Sequence, residues 1–394
     1  MSGGPLCGAV AAGPPTRADE GFAQRLFERV LTATGEHVSG TGSGFDLKSG
    51  WRLTHRDRVR DLLHGALARA GIGRRGYDRG EAARFLARLG PLLDGLERTE
   101  GLLADGPSRE LLVDLLAFRA LGPRHVRLPV TIDGFWHEAA RVDAELRTGP
   151  APGLVPQFGT YRIPGREGPI TLLGLPTQVV EFFVLEQYAG RRGPQPVEAE
   201  EGDVVIDAGG GMGDTALYFA DRVGPEGRVI CLEFEPANLA QLRLNLEANP
   251  RLAERVEVVE HPLWDRPAEE LRFDPALGRT SVTGAEGGQS VLTTTIDELV
   301  RSGTMDRVDF IKLDVEGAEL RALQGAGDTL GRDRPKLAVS VYHHLEDLVE
   351  LPVHIAGLDL GYELTLDHFL PAPEETVLFA RSHSDGARLG EERS

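Results

Sequence analysis

Apolar positions along this 394-residue chain change their period twice, and each change marks a boundary. From Glu20 to about Leu146 the spacing is helical. Phe22, Leu26, Phe27 and Val30 fall at i, i+4, i+5 and i+8, and Leu62, Leu63, Ala66, Leu67 and Ala70 repeat that face. Ala83, Leu86, Leu89, Leu92, Leu93 and Leu96 continue it across Gly90-Pro91, where a break into two helices is predicted. Another helix is expected from Ser108 to Arg119, with Ser108 as N-cap. Between 151 and 200 the pattern shortens to strands, Thr160–Pro164 and Ile170–Leu173, then a short amphipathic or buried helix over Val179–Tyr188. Beyond a Gly/Pro/Glu linker, Gly190 to Gly202, strands and helices alternate, with strands at Val204–Ile206, Arg228–Glu233, Val256–Glu260, Asp309–Leu313, Lys336–Val341, Glu363–Leu366 and Thr376–Ala380. That alternation predicts an α/β fold, a doubly wound parallel sheet covered by helices on both faces.

The resulting division is a tail (1–17), a helical auxiliary domain (18–150), a lead-in of short strands and helix (151–200), a core (201–382) and a second tail (383–394). The helical domain has no chemistry of its own, so a lid or a homodimer surface is expected of it. Composition adds little except through charge. Forty-three basic against sixty-one acidic residues give −18, a field that repels nucleic acid and anionic membrane. A neutral or cationic small molecule is the easier partner. The two cysteines, Cys7 and Cys231, cannot build a disulfide framework, which fits a reducing cytoplasm. No apolar run approaches the roughly 20 residues that span a bilayer, and the N-terminus lacks a basic n-region and apolar h-region.

The segment Val204 to Thr215 (VVIDAGGGMGDT) runs from an apolar strand through glycines into a helix. Gly209, Gly211 and Gly213 let the backbone turn tightly and approach a ligand closely. A dinucleotide fingerprint G-x-G-x-x-G fails, because the sixth position from Gly209 is Asp214. That carboxylate opposes a pyrophosphate and suits an amino group. The following strand ends in Glu233-Phe234-Glu235-Pro236, where Glu235 is expected to accept hydrogen bonds from both ribose hydroxyls. A sulfonium nucleoside with an amino-acid tail, S-adenosylmethionine, meets these demands. The expected cofactor set includes Asp207, Gly209, Gly211, Gly213, Asp214, Thr215, Glu235 and Asn238. A nicotinamide enzyme is disfavoured by Asp214.

With Glu186-Gln187-Tyr188, Gly202 to Gly210 (GDVVIDAGG), Phe234-Glu235-Pro236, Asp309 to Glu319 (DFIKLDVEGAE) and Ser340 to His343 (SVYH), the chain resembles the FkbM family of S-adenosylmethionine-dependent methyltransferases. The resemblance runs from about Pro156 to Arg381. It implies a class I methyltransferase, Rossmann-like sheet of seven strands, mostly parallel, with the last antiparallel. It also implies O-methylation of a sugar or specialised metabolite, and brings Tyr188 into the cofactor set. Nitrogen or carbon acceptors stay open, as does a non-catalytic scaffold that only binds the nucleoside. Residues 1–150 are touched by the resemblance only through Leu103 to Arg109.

In doubly wound sheets chemistry lies beyond the carboxyl ends of the strands. Asp314 and Glu316 follow one strand, and both are also plausible helix caps. Lys312 inside that apolar strand needs a partner, expected to be Asp314 or Glu316. Asp314 is the better candidate for the acceptor site, as base, orienter or metal ligand. His343 follows the next strand directly and is the first choice as general base, His344 the second. His368 matches a family position near the acceptor. Asp314, Glu316, His343 and His368 are donors suited to Mg or Mn, although no compact motif demands a metal. Trp264 and Asp265 are expected near adenine, the fold's usual place for an amino contact.

Overall fold

The structure is a computed structural model, and it describes residues 21–35, 45–46, 51–52, 79–123, 125–152, 155, 157–193, 195–273 and 289–383. Cys7, the face from Leu62 to Ala70 and both expected tails lie outside these residues, except His383.

Seven strands form the central sheet: β1 (Val204–Ala208), β2 (Arg228–Leu232), β3 (Val256–Val259), β4 (Phe310–Leu313), β5 (Lys336–Ser340), β6 (Tyr362–His368) and β7 (Thr376–Ser382). Their spatial order is β6-β7-β5-β4-β1-β2-β3. Only β7 runs against the others, pairing antiparallel with both β5 and β6. The carboxyl ends of the six parallel strands therefore share one rim, and the order reverses between β1 and β4, which pair in parallel. Such a reversal opens a crevice for a ligand.

Strand alternation assigns the two faces. Ile206, Ile230, Ile311, Val339 and Leu378 point into one apolar cluster, while Val205, Cys231, Phe310, Ala338 and Phe379 point into the other. The first cluster also holds the apolar stripes of three N-terminal helices, α1 (Phe22–Gly35), α2 (Leu93–Leu102) and α3 (Gly106–Leu121). Phe22, Leu26, Val30 and Ala33 make the buried stripe of α1, and Phe27 points outward at 52% exposure. Among the described residues these helices share their core with the sheet. Gly90–Leu92 is a single 3₁₀ turn that leads into α2, so Gly90-Pro91 interrupts the helical run as its residues predict.

Helix α3 begins earlier than expected. Asp105 is its N-cap, accepting the Ser108 N–H at 2.7 Å, with Pro107 in the first turn. Ser108 instead serves the sheet. Its hydroxyl accepts the Leu366 N–H at 2.9 Å, so it pairs the open edge of β6. Ala104 N–H extends that contact to the Leu364 carbonyl at 2.9 Å. The segment Leu103–Ser108 thus covers a strand edge that would otherwise stay exposed.

The second face carries the helix Asp214–Val223, the helix Ile132–Glu145 and a three-stranded antiparallel sheet of Arg147–Pro150, Gly159–Ile163 and Ile170–Gly174. The expected helix over Val179–Tyr188 is a helical turn, Pro176–Val179, followed by one π-turn, Val180–Val184. Glu186 then adopts φ +53, which releases Gln187 and Tyr188 toward the rim. Among the described residues no helix is long and apolar enough to cross a membrane.

Leu116 is fully buried in the cluster shared by α3 and the sheet. Leu116→Ala should cost about 2–5 kcal/mol and lower one unfolding transition of the whole chain. Two resolved transitions in calorimetry, with only the smaller displaced, would contradict a shared core.

Candidate functional site

A cleft of about 300 Å³ opens at the rim between β1, β2 and β4. Its floor is the glycine loop after β1. Gly209, at φ +78, lies so close to the Asp314 backbone that a Cβ would overlap the Asp314 carbonyl, and Gly213, at φ +85, turns the chain into the next helix. Lys312 fixes this loop from below. Its buried ammonium donates to the Ala208 carbonyl at 3.0 Å and the Gly209 carbonyl at 2.6 Å, and pairs with Asp207 at 3.1 Å. Burial works against this charge, but Asp207 and then Asp314 hold its pKa above the ordinary lysine value. The expected partners Asp314 and Glu316 are thereby corrected: parallel pairing sets Lys312 opposite Asp207 in register, on the same face. Asp207 lies beneath the cleft and also accepts the Thr215 hydroxyl at 2.8 Å.

Asp214 and Thr215 line the cleft with Gly209, Gly211 and Met212, while Gly213 lies behind, against Leu242. Burial raises the Asp214 carboxyl to about 6, opposed by the Thr215 N–H and the Gln178 amide. Gln178 is held in turn, since its carbonyl accepts the Leu175 N–H at 2.7 Å. Asn245, fully buried in the helix Pro236–Glu247, donates to the Met212 carbonyl at 2.8 Å and accepts the Leu173 N–H at 2.8 Å. It ties the glycine loop to the small sheet. Neither Gln178 nor Asn245 carries a signal in the sequence, because the groups they hold, the Asp214 carboxylate for one and the Met212 and Leu173 backbone for the other, are brought near only by the fold.

The acidic strand end is corrected by two positions. Glu235 is the N-cap of the helix Pro236–Glu247, accepting the Asn238 N–H at 2.7 Å, and its side chain does not line the cleft. Glu233 does. Its carboxylate is set by the Phe234 and Glu235 N–H groups at 2.7 and 2.8 Å and by the Asn238 amide at 3.1 Å. The dipeptide Glu235-Pro236 carries the signal: proline at the first helical position makes the residue before it the cap. Burial pushes the Glu233 carboxyl up, against these three donors. Asn238, Phe234, His261, Pro262, Leu263 and Trp264 complete this end of the cleft. Asp265 is turned away from it, with Oδ2 accepting Arg321 at 2.8 Å, while the Arg321 guanidinium lies over the Trp264 ring.

Asp314 and Glu316 line the opposite end with Tyr188. The Tyr188 hydroxyl donates to Asp314 Oδ2 at 2.8 Å and the Tyr342 hydroxyl to Oδ1 at 3.0 Å. Burial would raise this carboxyl, but Lys312, His343 and the two phenols hold it below the ordinary aspartate value. Glu316, at φ +54, reaches His343 Nε2 at 3.5 Å.

The expected histidine roles are corrected. His343 is nearly buried and does not line the cleft; Nδ1 faces Glu319 Oε1 at 3.0 Å and Nε2 faces Asp314 at 3.4 Å. Burial opposes its charge, yet Glu319, Asp314 and Glu316 raise it to about 9, so near neutrality the ring already holds the proton a base must accept. His344 is exposed, its ring packed against Gly317 and its Nδ1 3.7 Å from Asp347 Oδ1, and it does not line the cleft. His368 is buried in β6 with Nδ1 against the Thr376 hydroxyl at 2.9 Å, and burial lowers it to about 3, which leaves a neutral structural ring.

Asp314, Glu319 and His343 bring donor atoms within 4.8 Å of one another, whereas His368 is not in the group. The two ring nitrogens face different carboxylates, Nδ1 that of Glu319 and Nε2 that of Asp314. The nucleoside fits the cleft: glycines admit its tail beside Asp214, Glu233 offers a carboxylate for a diol, and Phe234, Pro262, Leu263 and Trp264 give an apolar wall.

Residues 199–364 match the model of the methyltransferase FkbM domain. A hexuronic acid methyltransferase, AglP, of Haloferax volcanii is 30% identical over 136 residues, 34% of this chain and 54% of that protein. The AMB antimetabolite synthetase AmbE of Pseudomonas aeruginosa is 31% identical over 190 residues, 38% of this chain and 8% of that protein. The chain therefore spans about half of one curated relative and a small part of the other. The crystal structure of a methyltransferase FkbM from Methylobacillus flagellatus superposes with a TM-score of 0.53 at 18% identity, covering 83% of this chain and 71% of that one. That likeness is one of fold.

Because the folded-state pKa of His343 is raised, its stabilisation is full below the unfolded value near 6.5 and is lost as pH rises through about 9. His343→Gln should lower stability by roughly 3 kcal/mol at pH 6 and by far less at pH 10. A stability gap independent of pH in denaturant titrations would remove the imidazolium.

Proposed function

We propose, from the premise that residues 199–364 are the FkbM methyltransferase domain of an S-adenosylmethionine-dependent enzyme, that this chain methylates a hydroxyl of a small sugar-like or specialised-metabolite acceptor. The observation that carries the reading is the pairing, across one cleft, of a nucleoside end around Glu233 with an ionised acceptor end around Asp314. The hexuronic acid methyltransferase of Haloferax volcanii supports the sugar class.

In this reading Glu233 accepts the two ribose hydroxyls, with Asn238 and two backbone N–H groups keeping its oxygens aimed. Asp214 and the loop from Gly209 to Met212 take the amino-acid tail, and Trp264 borders the base. When bound, S-adenosylmethionine supplies an electrophilic methyl on a positively charged sulfur. The chain's work is then alignment and proton handling. Asp314 is held ionised by Lys312, Tyr188, Tyr342 and His343, so it accepts a hydrogen bond from the incoming hydroxyl and turns a lone pair toward the methyl. His343 acts through Asp314 and Glu316 as a fixed cation, not as the base. An acidic cleft also favours a cationic ligand over a pyrophosphate.

Glu233→Ala should weaken S-adenosylhomocysteine binding by about 2–4 kcal/mol, the loss of two charge-assisted hydrogen bonds. Glu235→Ala should instead cost about 1 kcal/mol of stability, as loss of a helix cap does. Calorimetric titration beside thermal melts separates the two, and equal losses of affinity in both would overturn the assignment. For the acceptor, methyl-labelled S-adenosylmethionine is offered with glucuronic acid and with glucosamine. Label in an alkali-stable methyl ether is expected, and label on the amine contradicts O-methylation.

A further inference from the structure

Gln187 belongs to the segment Glu186-Gln187-Tyr188, of which only Tyr188 lines the cleft. Its side chain is fully buried, a cost to any amide whose protons are left without acceptors. Both protons of the nitrogen are placed. One goes to Glu375 Oε2, just before β7, and the other to the Tyr188 hydroxyl at 3.2 Å. The orientation is forced. Tyr188 has a single hydroxyl proton and gives it to Asp314 Oδ2 at 2.8 Å, so toward Gln187 its oxygen can only accept. The Tyr188 ring is held as well, with Phe182 stacked parallel at 6.1 Å and the Lys312 ammonium 5.2 Å from its centre.

The two oxygens of Asp314 are occupied unequally. A carboxylate offers about four lone-pair positions, two on each oxygen. Among the described residues, Oδ1 accepts the Tyr342 hydroxyl at 3.0 Å and faces His343 Nε2 at 3.4 Å, and neither of those residues lines the cleft. Oδ2 accepts only from Tyr188, which does line it. The position left for an incoming hydroxyl is therefore the second lone pair of Oδ2. The two phenols are also held by different means. Arg119 of α3 donates to the Tyr342 carbonyl at 3.4 Å and to the Pro373 carbonyl at 3.2 Å, so the N-terminal helices fix Tyr342 through its backbone. Tyr188 is fixed through its hydroxyl, by Gln187.

We propose that the acceptor hydroxyl lands on Asp314 Oδ2, and that Gln187 is the positioning residue for that oxygen, acting through Tyr188. The proposal rests on the methyltransferase reading above and goes beyond it in naming the receiving atom and the residue that sets it. The Gln187 amide occupies a lone pair of the Tyr188 oxygen, which commits the Tyr188 proton to Oδ2. Without the amide the hydroxyl is free to turn and accept. A proton can then settle on Oδ2 and block the lone pair that the acceptor needs. Gln187 touches neither ligand and works at two hydrogen bonds' remove. The charged and titratable groups facing Asp314 are Lys312 on β4, Tyr342 and His343 after β5, and Tyr188 before β1. Glu316 reaches the same His343, and Glu375 lies at the far end of the Gln187 amide.

The test is a pH titration of the full chain, labelled with ¹³C-aspartate and loaded with S-adenosylhomocysteine, followed by difference infrared spectroscopy. The Asp314 carboxyl band is identified by its loss in Asp314→Asn. Tyr188→Phe removes a donor and should raise the midpoint of that band by about one unit, and Gln187→Leu should raise it by less. In the Tyr188→Phe background Gln187→Leu should add no rise, because the residue through which it acts is gone. Gln187→Leu should keep its affinity for S-adenosylhomocysteine, which shows that it folds; Gln187→Met replaces it in the comparison if it does not. With glucosamine or glucuronic acid, whichever the unaltered enzyme methylates, Gln187→Leu should lower kcat by about five- to tenfold, the scale of one hydrogen bond. The KM for S-adenosylmethionine should stay unchanged. An equal rise of the midpoint in both backgrounds, no rise in either, or an unaltered kcat overturns the proposal. So does a crystal complex with the acceptor hydroxyl on Oδ1. Failure of the unaltered protein to bind S-adenosylhomocysteine overturns the methyltransferase reading instead. Methylation of neither sugar overturns the acceptor class, and the infrared comparison then decides the role of Gln187.

Discussion

The Lys312 ammonium, buried in the middle of a parallel sheet, has to find compensation on every side. It finds an anion in Asp207 on the neighbouring strand and two carbonyls in Ala208 and Gly209, at the point where β1 breaks into its glycine loop. The compensation is also a clamp. The loop cannot swing away from β4 without stranding a charge, and removing one partner of a buried pair costs about 3–5 kcal/mol. Gly209 has no Cβ, so the loop sits directly against the Asp314 backbone. One interaction thus sets the distance between the glycine-loop floor of the cleft and the Asp314 carboxylate.

Around that fixed point the rim divides its acids by environment. Glu233 is fed by backbone N–H groups, Asp214 is buried and raised to about 6, Asp314 is held low by cations and phenols, and Glu375 is raised to about 7. Carboxyl groups driven apart in this way take different roles. His343 belongs to the same network as a cation between Asp314, Glu316 and Glu319. The N-terminal helices take part through Arg119 and Ser108, which fix the far rim and the edge of β6.

Much of this arrangement is legible in the sequence. The alternation of apolar runs, the glycine loop and Asp214 lead to the sheet, its open crevice and the class of ligand, because each is written locally. The sequence misleads where a local ambiguity has a non-local answer. Glu233 and Glu235 are equivalent as charges, and only the helix start at Pro236 assigns one to the cap. His343 reads as a base because histidine commonly titrates near neutrality, while the three carboxylates that raise it come from the segment after β4. Spacing along the chain pairs Lys312 with its near neighbours, although in-register parallel pairing delivers Asp207. Gln187 and Glu375 meet across 188 residues of sequence, beyond the reach of spacing.

The most direct measurement is a crystal structure of the full chain with S-adenosylhomocysteine. Both ribose hydroxyls are expected within hydrogen-bond range of the Glu233 carboxylate, about 2.5–3.0 Å, with the amino-acid tail beside Asp214 and the sulfur directed toward Asp314. A ribose held at Glu235, or a nucleoside bound outside the cleft between Glu233 and Asp314, would contradict that arrangement.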